Sequence, residues 1–210
     1  MIKLIPFIYE NIDDLYANTY MLVDENNDCV IIDPAKNTPG LVNYINRNCL
    51  ILKAVLLTHG HIDHIRGVDV LYDAFHMHVY IGFEDLNKLQ NPYSNCSSFL
   101  GNETIVNAKA DAVYDKRVLK CLNEDINVIE TPYHTSGSLC FYLPKSQMLF
   151  TGDFLFAGSV GRSDLPTAKP RMLRESMAKI LALPKETKVY PGHGKSTTLE
   201  TEMRANPFVK

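Results

Sequence analysis

Three of the chain's seven histidines fall within the six residues "HGHIDH", His59 to His64, with Asp63 among them. Neutral imidazole offers a nitrogen lone pair and carboxylate offers anionic oxygen, and both are good ligands for zinc and related divalent ions. A polar helix start, with Asp63 as its cap, would explain one such residue but not four. Clustered His and Asp of this kind read first as a metal site. Three further segments each contribute one residue of ligand type: His134 in "VIETPYHTSGS", Asp153 in "MLFTGDFLF" and His193 in "KVYPGHGKS". Taken singly, each has an ordinary reading as a solvated turn residue or turn cap. All share one order, an apolar strand, a small or proline-bearing turn, then the polar group, and that repetition points to a single shared site.

The elements that must carry these groups are legible as apolar runs. Strands are predicted at "IKLIPFIY", "TYMLVD", "DCVIIDP", "LKAVLLT", "HVYIG", "INVIET", "LCFYL", "QMLFTGD" and "TKVYPG". Helical periodicity lies between several of them, at "PGLVNYINRN", "DHIRGVDVLYDAF", "FEDLNKL", "PRMLRESMAKILAL" and "TTLETEMRAN". Interspersed strands and helices predict an α/β layered fold. In the extended chain entering "HGHIDH", His59 and His61 share a face, whereas Asp63 and His64 reach from the turn into a helix. The segment 91–104, "NPYSNCSSFLGNET", has no periodicity and is expected to be a functional loop.

Composition narrows the class. A formal net charge of −3 with scattered Lys and Arg excludes a basic footprint for nucleic acid or membrane. The N-terminus lacks the pattern of a secretory signal, and no run approaches the roughly 18 apolar residues of a membrane span. A cytoplasmic location is expected, and the length suits one domain over residues 1–210. The five cysteines form no C-x-x-C pair and read mostly as reduced, buried apolar residues.

The ordered set "THGHIDH", "TPYHTSG", "TGD" and "PGHG" resembles the metallo-β-lactamase-fold hydrolase superfamily. That resemblance implies a four-layer αββα sandwich with two metals at one edge. Carried over residue by residue, it implies that His59, His61 and His134 hold one ion, that Asp63, His64 and His193 hold the second, and that Asp153 bridges them. Asp33 in "VIIDP" would support the metal loop without binding metal. Within the superfamily, "TGDFLFAGSVGRSDLP" and the closing "TTLETEMRANPF" resemble the single-domain glyoxalase II-like branch, without the C-terminal helical domain of full-length glyoxalase II. The activity implied is hydrolysis of a small-molecule thioester such as hydroxyacylglutathione by a metal-bridging hydroxide, with Asp63 orienting that hydroxide. The cofactors expected are two divalent ions, zinc first, with iron or manganese as alternatives. No nucleic-acid or membrane partner is expected, and the oligomeric state is not encoded in any motif.

Two residues are singled out as substrate contacts. Tyr133 stands where the commonest family motif has Gly, and either lines the pocket or packs against its loop. Arg162 either recognises an anionic group or forms an ion pair with an acid such as Asp164. Competing activities on the same frame are a lactonase and a mononuclear-iron persulfide dioxygenase. A non-enzymatic module with structural metals fits less well, because such sites are usually closed and cysteine-rich. Two motif resemblances fail on context. "GHGKST" would need glycine at Val189, inside a strand, to be a phosphate loop. "AGSVG" around Ser159 lacks the strand-to-helix elbow of a serine hydrolase. His76 and His78 carry no motif.

Overall fold

The computed structural model describes residues 1–8, 16–36 and 39–209. Two six-stranded sheets face each other. The first contains β1 (Lys3–Phe7), β2 (Thr19–Val23), β3 (Asp28–Ile32), β4 (Ile51–Leu56), β5 (His78–Gly82) and β6 (Asp111–Val113) in that order. Its first three strands are antiparallel neighbours, and β3 to β6 run parallel. The second sheet has the order β14 (Thr197–Thr198), β13 (Lys188–Pro191), β10 (Met148–Gly152), β9 (Leu139–Leu143), β8 (Ile126–Glu130), β7 (Val118–Leu119). A short hairpin pairs β11 (Leu155–Phe156) with β12 (Ser159–Val160). Helices α1 (Gly40–Arg47), α2 (Ile62–Ile65), α3 (Val68–Phe75), α4 (Leu173–Leu181) and α5 (Leu199–Ala205) complete the regular elements, beside 3-10 turns at Phe83–Gln90, Ser97–Leu100 and Pro170–Met172.

The alternation within strands sorts residues into three apolar layers, because successive side chains of a strand point to opposite faces. In β3, Cys29 and Ile31 pack outward with Leu41 and Ile45 of α1 and Val68 and Leu71 of α3. Val30 and Ile32 pack inward with Val128 of β8, Phe141 of β9 and Phe150 of β10. On the far side of the second sheet, Cys140, Tyr142 and Val189 meet Met177 and Ile180 of α4 and Leu199 of α5. Helix, sheet, sheet, helix is the expected αββα sandwich. Strands buried on both faces read as continuous apolar runs, which is why β2, β3 and β9 were visible in the sequence.

Several boundaries differ from expectation. The helix predicted over "DHIRGVDVLYDAF" is two helices, α2 and α3, broken at Arg66 and Gly67. "FEDLNKL" is a 3-10 rather than an α-helix, and Pro170–Met172 opens α4 with a 3-10 turn. β1 ends at Phe7, and Tyr9, expected within it, lies outside the described residues. The segment 91–104 is not structureless. It holds the 3-10 turn Ser97–Leu100, anchored by buried Asn95, whose amide donates to the carbonyls of Lys88 and Thr104 and accepts from the Ser97 N–H.

Candidate metal centre

The topology explains why distant residues meet. β10 and β13 are parallel, and β8 runs in the same direction because β9 is antiparallel to both β8 and β10. His134, Asp153 and His193 follow the C-terminal ends of β8, β10 and β13 and therefore emerge at one edge. "HGHIDH" leaves the C-terminal end of β4 and turns into α2 at the same edge. Asn18, fully within the core, pins the His193 turn by donating from its side chain to the carbonyls of Pro191 and Gly194.

The seven polar residues form two overlapping clusters. His59 Nε2 lies 3.1 Å from His61 Nδ1, which lies 2.9 Å from His134 Nε2. On the other side, His193 Nε2 is 3.1 Å from Asp63 Oδ2, and His64 Nε2 is 3.7 Å from the same oxygen. Asp153 stands between the clusters: its Oδ1 is 3.3 Å from His64 Nε2, and its Oδ2 is 3.6 Å from His193 Nε2 and 3.7 Å from His134 Nε2. The ligand-type atoms of His59, His61 and His134, of Asp63, His64 and His193, and of His59, His64 and Asp153 each fall within 4.8 Å of one another. Gly192 makes this closeness possible, because a Cβ there would collide with the Asp153 carboxylate and come within 2.7 Å of His64 Cε1.

Ring orientation is fixed from behind. His64 Nδ1 is 2.8 Å from Asp33 Oδ2, and Asp33 also accepts from the backbone N–H and the hydroxyl of Thr58. His134 Nδ1 donates to the carbonyl of Arg162 at 2.7 Å. Protons on those outer nitrogens leave both Nε2 lone pairs aimed inward, the arrangement found behind metal-ligating histidines. Tetrahedral coordination at roughly 2.05 Å places ligand nitrogens about 3.3 Å apart, close to the spacing observed for the first triad. Nε2 of His64 and Oδ1 of Asp153, which face each other within the second cluster, are buried without a hydrogen-bond partner. Buried polar atoms are rarely left so, and the donor set fits cations.

Charge follows the same division. Burial, reinforced by the neighbouring imidazoles, holds His59 far below the ordinary histidine range and His61 down at about 3. For His64 and His193 burial opposes charge, but Asp63 and Asp153, joined at His64 by Asp33, outweigh it and raise both. Burial likewise works against ionising Asp63 and Asp153, and the adjacent histidines overcome it and lower both. His59 and His61 are therefore neutral nitrogen donors, and the other cluster is carboxylate-bearing.

A cavity of about 320 Å³ opens over the two clusters. Arg162 lines it, and its guanidinium makes a two-pronged pair with Asp164, Nε to Oδ1 at 2.6 Å and Nη2 to Oδ2 at 2.7 Å. Tyr133 does not line it and is a correction to the expected substrate contacts. It is 6 % exposed, and its ring packs edge-on against Phe154 in the core beneath α4. Its φ is not positive, so the position makes no special demand for glycine. The cysteines also differ from expectation: Cys29 and Cys140 are buried, but Cys49 is exposed, Cys121 is half-buried, and half-buried Cys96 sits in the cavity wall. His76 ends α3 in a left-handed conformation and His78 pairs with Asp111, both away from the cavity.

Besides Asn18, three residues of the site's support escaped the sequence reading. Asp85, fully buried, accepts from Gly60 N–H between His59 and His61, from Gly137 N–H, and from the hydroxyl of Thr135 beside His134. Lys88, also buried, donates to the Ser94 carbonyl at 2.9 Å and the Thr167 hydroxyl at 2.6 Å, so it ties the two walls of the cavity together. Its stem presses on Gly60, where a Cβ would come within 2.7 Å of the Lys88 Cβ. Asn95, which anchors the loop, is the third. Within "FEDLNKL" these charges look like an ordinary solvated pair, and no sequence signal separates them from one.

An αββα sandwich with paired His/Asp clusters at the edge where its sheets meet defines a metal-binding hydrolase scaffold. The Metallo-beta-lactamase superfamily model matches residues 12–193, and the chain belongs to that superfamily. A probable metallo-hydrolase of Streptococcus pyogenes is 34% identical over 96% of this chain and 89% of its own. The hydroxyacylglutathione hydrolase GloC of Haemophilus influenzae is 30% identical over 91% of this chain and 92% of its own. Among solved structures, the BLEG-1 B3 metallo-beta-lactamase superposes with a TM-score of 0.90 at 36% identity, covering 100% of this chain and 99% of that one. TTHA1623 in a di-iron-bound form gives 0.86 at 34% identity over 97% and 99%. No described helix is long and apolar enough to cross a membrane.

Proposed function

We propose that this chain is a two-metal hydrolase of thioesters, with His59, His61 and His134 holding one ion, Asp63, His64 and His193 the other, and Asp153 between them. The observation that carries it is the convergence of His59 Nε2, His61 Nδ1 and His134 Nε2 on one side, and of Asp63, His64, His193 and Asp153 on the other, into two adjoining ligand sets at the cavity floor. Likeness to the hydroxyacylglutathione hydrolase supports the thioester class, and likeness to the di-iron form of TTHA1623 supports two ions. Bound divalent ions would polarise a carbonyl and bring a water's pKa toward neutrality. The chain's own residues set the geometry. Asp33 and the Arg162 carbonyl hold the His64 and His134 rings in place. Asp63, reachable from the cavity, accepts a hydrogen bond from the attacking water and aims its lone pair at the carbonyl carbon. No side-chain nucleophile is needed.

The test is metal analysis of the purified protein together with thiol release from S-lactoylglutathione and from simpler thioesters. About two metals per chain and chelator-sensitive thiol release are expected. Metal-replete protein that releases no thiol from any thioester would overturn the reading. A second reading, β-lactam hydrolysis, rests on the likeness to the BLEG-1 enzyme. A chromogenic cephalosporin in the same assay decides between the two.

A further inference from the structure

The cavity is one-sided in its chemistry. Its floor is the His/Asp cluster, but its walls are Ile62, Phe99, Leu100, Leu165 and the thiol of Cys96. Phe99 and Leu100 are 55% and 43% exposed, on a segment that is not loose: Asn95, Lys88 and the left-handed turns at Cys96 and Gly101 hold it. Tyr93 extends the surface, its ring 5.3 Å from that of Phe99. Large apolar side chains displayed on a fixed segment beside a reactive floor mark a binding surface.

The polar side of the wall is nearly absent. Among the described residues lining the cavity, Arg162 is the sole Lys or Arg, and the Nε–Nη2 edge of its guanidinium is already taken by Asp164. An anionic ligand group drawn to Arg162 would sit beside the Asp164 carboxylate, so attraction is offset by repulsion. Lys88 is no substitute, because its ammonium is spent on Ser94 and Thr167.

We infer that the pocket selects an apolar group next to the scissile carbonyl on an uncharged carrier: an aliphatic or aromatic acyl thioester or ester without carboxylates, in preference to a glutathione conjugate. Phe99, Leu100 and Leu165 determine that preference, and Asp164 offsets the charge of the one cation that a glutathione carboxylate would meet in this wall. The inference rests on the hydrolase reading for the word "scissile", but the ligand class is separable from it.

Calorimetric titration of the metal-loaded protein with unreactive thioethers tests it. S-hexyl-N-acetylcysteamine should bind at least as tightly as S-hexylglutathione, and at least tenfold more tightly than S-methyl-N-acetylcysteamine, since each buried methylene is worth about fourfold. Phe99→Ala and Leu165→Ala should each cut the hexyl advantage by about fivefold. Asp164→Asn should strengthen S-hexylglutathione about fivefold and leave the uncharged ligand unmoved. Equal binding of methyl and hexyl ligands, no binding of either, or a tenfold preference for the glutathione ligand in the unmodified protein would overturn it. Turnover is read separately. No thioester hydrolysis with the hexyl preference intact refutes the hydrolase reading alone, whereas hydrolysis with glutathione preferred refutes the ligand class alone.

Discussion

Replacing Asp85 with Asn changes one atom and removes the group on which two histidine-bearing turns hang. The carboxylate is acceptor-only and takes three hydrogen bonds, from Gly60 N, Thr135 Oγ1 and Gly137 N, at 2.9, 2.7 and 3.0 Å. An Asn amide in either orientation must point an N–H at one of the two backbone N–H donors, so one bond is lost and a donor faces a donor. The buried Lys88 loses the nearest counter-charge at the same time. Bonds to charged acceptors are worth about 1.5–3 kcal/mol, and stripping one member of a buried charge pair costs about 3–5 kcal/mol. A loss of about 3–5 kcal/mol follows, a large part of a stability of about 5–15 kcal/mol. Urea unfolding of chelator-treated protein measures it without the contribution of metal. Because Gly60 and Thr135 flank His61 and His134, metal affinity should fall about 10–100-fold, as for other groups standing behind ligands. Asp85→Asn combined with Lys88→Met should cost less than the two changes summed, since the double variant leaves no unpaired charge. A loss below about 1 kcal/mol with unchanged metal affinity would refute the bracing role.

The remaining predictions concern single groups. Gly192→Ala drives a Cβ between Asp153 and His64; one of two bound ions should be lost or weakened at least tenfold in calorimetric metal titration, with the His59–His61–His134 ion kept. Tyr133→Phe should leave kcat/KM within about twofold and Tyr133→Ala should destabilise by about 3–5 kcal/mol, because the ring serves the core. For metal-free protein, His59 and His61 stay neutral when folded but protonate near pH 6.5 when unfolded. The unfolded chain then binds more protons, so these two groups each favour unfolding by up to tenfold per pH unit between about 6.5 and 3. Thermal melts should show a Tm that declines with acidification over that window in the chelated protein, more steeply than in a His59→Gln variant; equal slopes would count against the assignment.

β2, β3, β9 and β10 were readable because they bury both faces, and the groups at the floor were readable because each follows a strand end in a short apolar-turn-ligand order. What stayed hidden is short or polar. β7, β11, β12 and β14 are two residues each, too brief for any period to show. Asp85 and Lys88 sit three apart in a 3-10 helix, where residues i and i+3 eclipse. Both therefore turn inward, although the same spacing on an α-helix suggests a surface pair. Tyr133 was ambiguous because tyrosine suits pocket and core equally, and only the packing of Phe154 decides between them.

The hydrogen bond from Asn18 to Pro191 spans 173 positions of chain. At about 5–20 residues per second, roughly 10–35 s of synthesis separate the two partners. Until β8, β9 and β10 have followed, the first sheet presents its inner face, with Leu22, Val30, Ile32 and Leu56, to the solvent or to whatever attends the ribosome. His59 to His64 will have emerged without the histidine that closes their cluster, so early metal would find only a fragment of its cage. A nascent chain of this design is open to mis-metallation until β13 emerges, because the turn after that strand carries His193 and completes the cage.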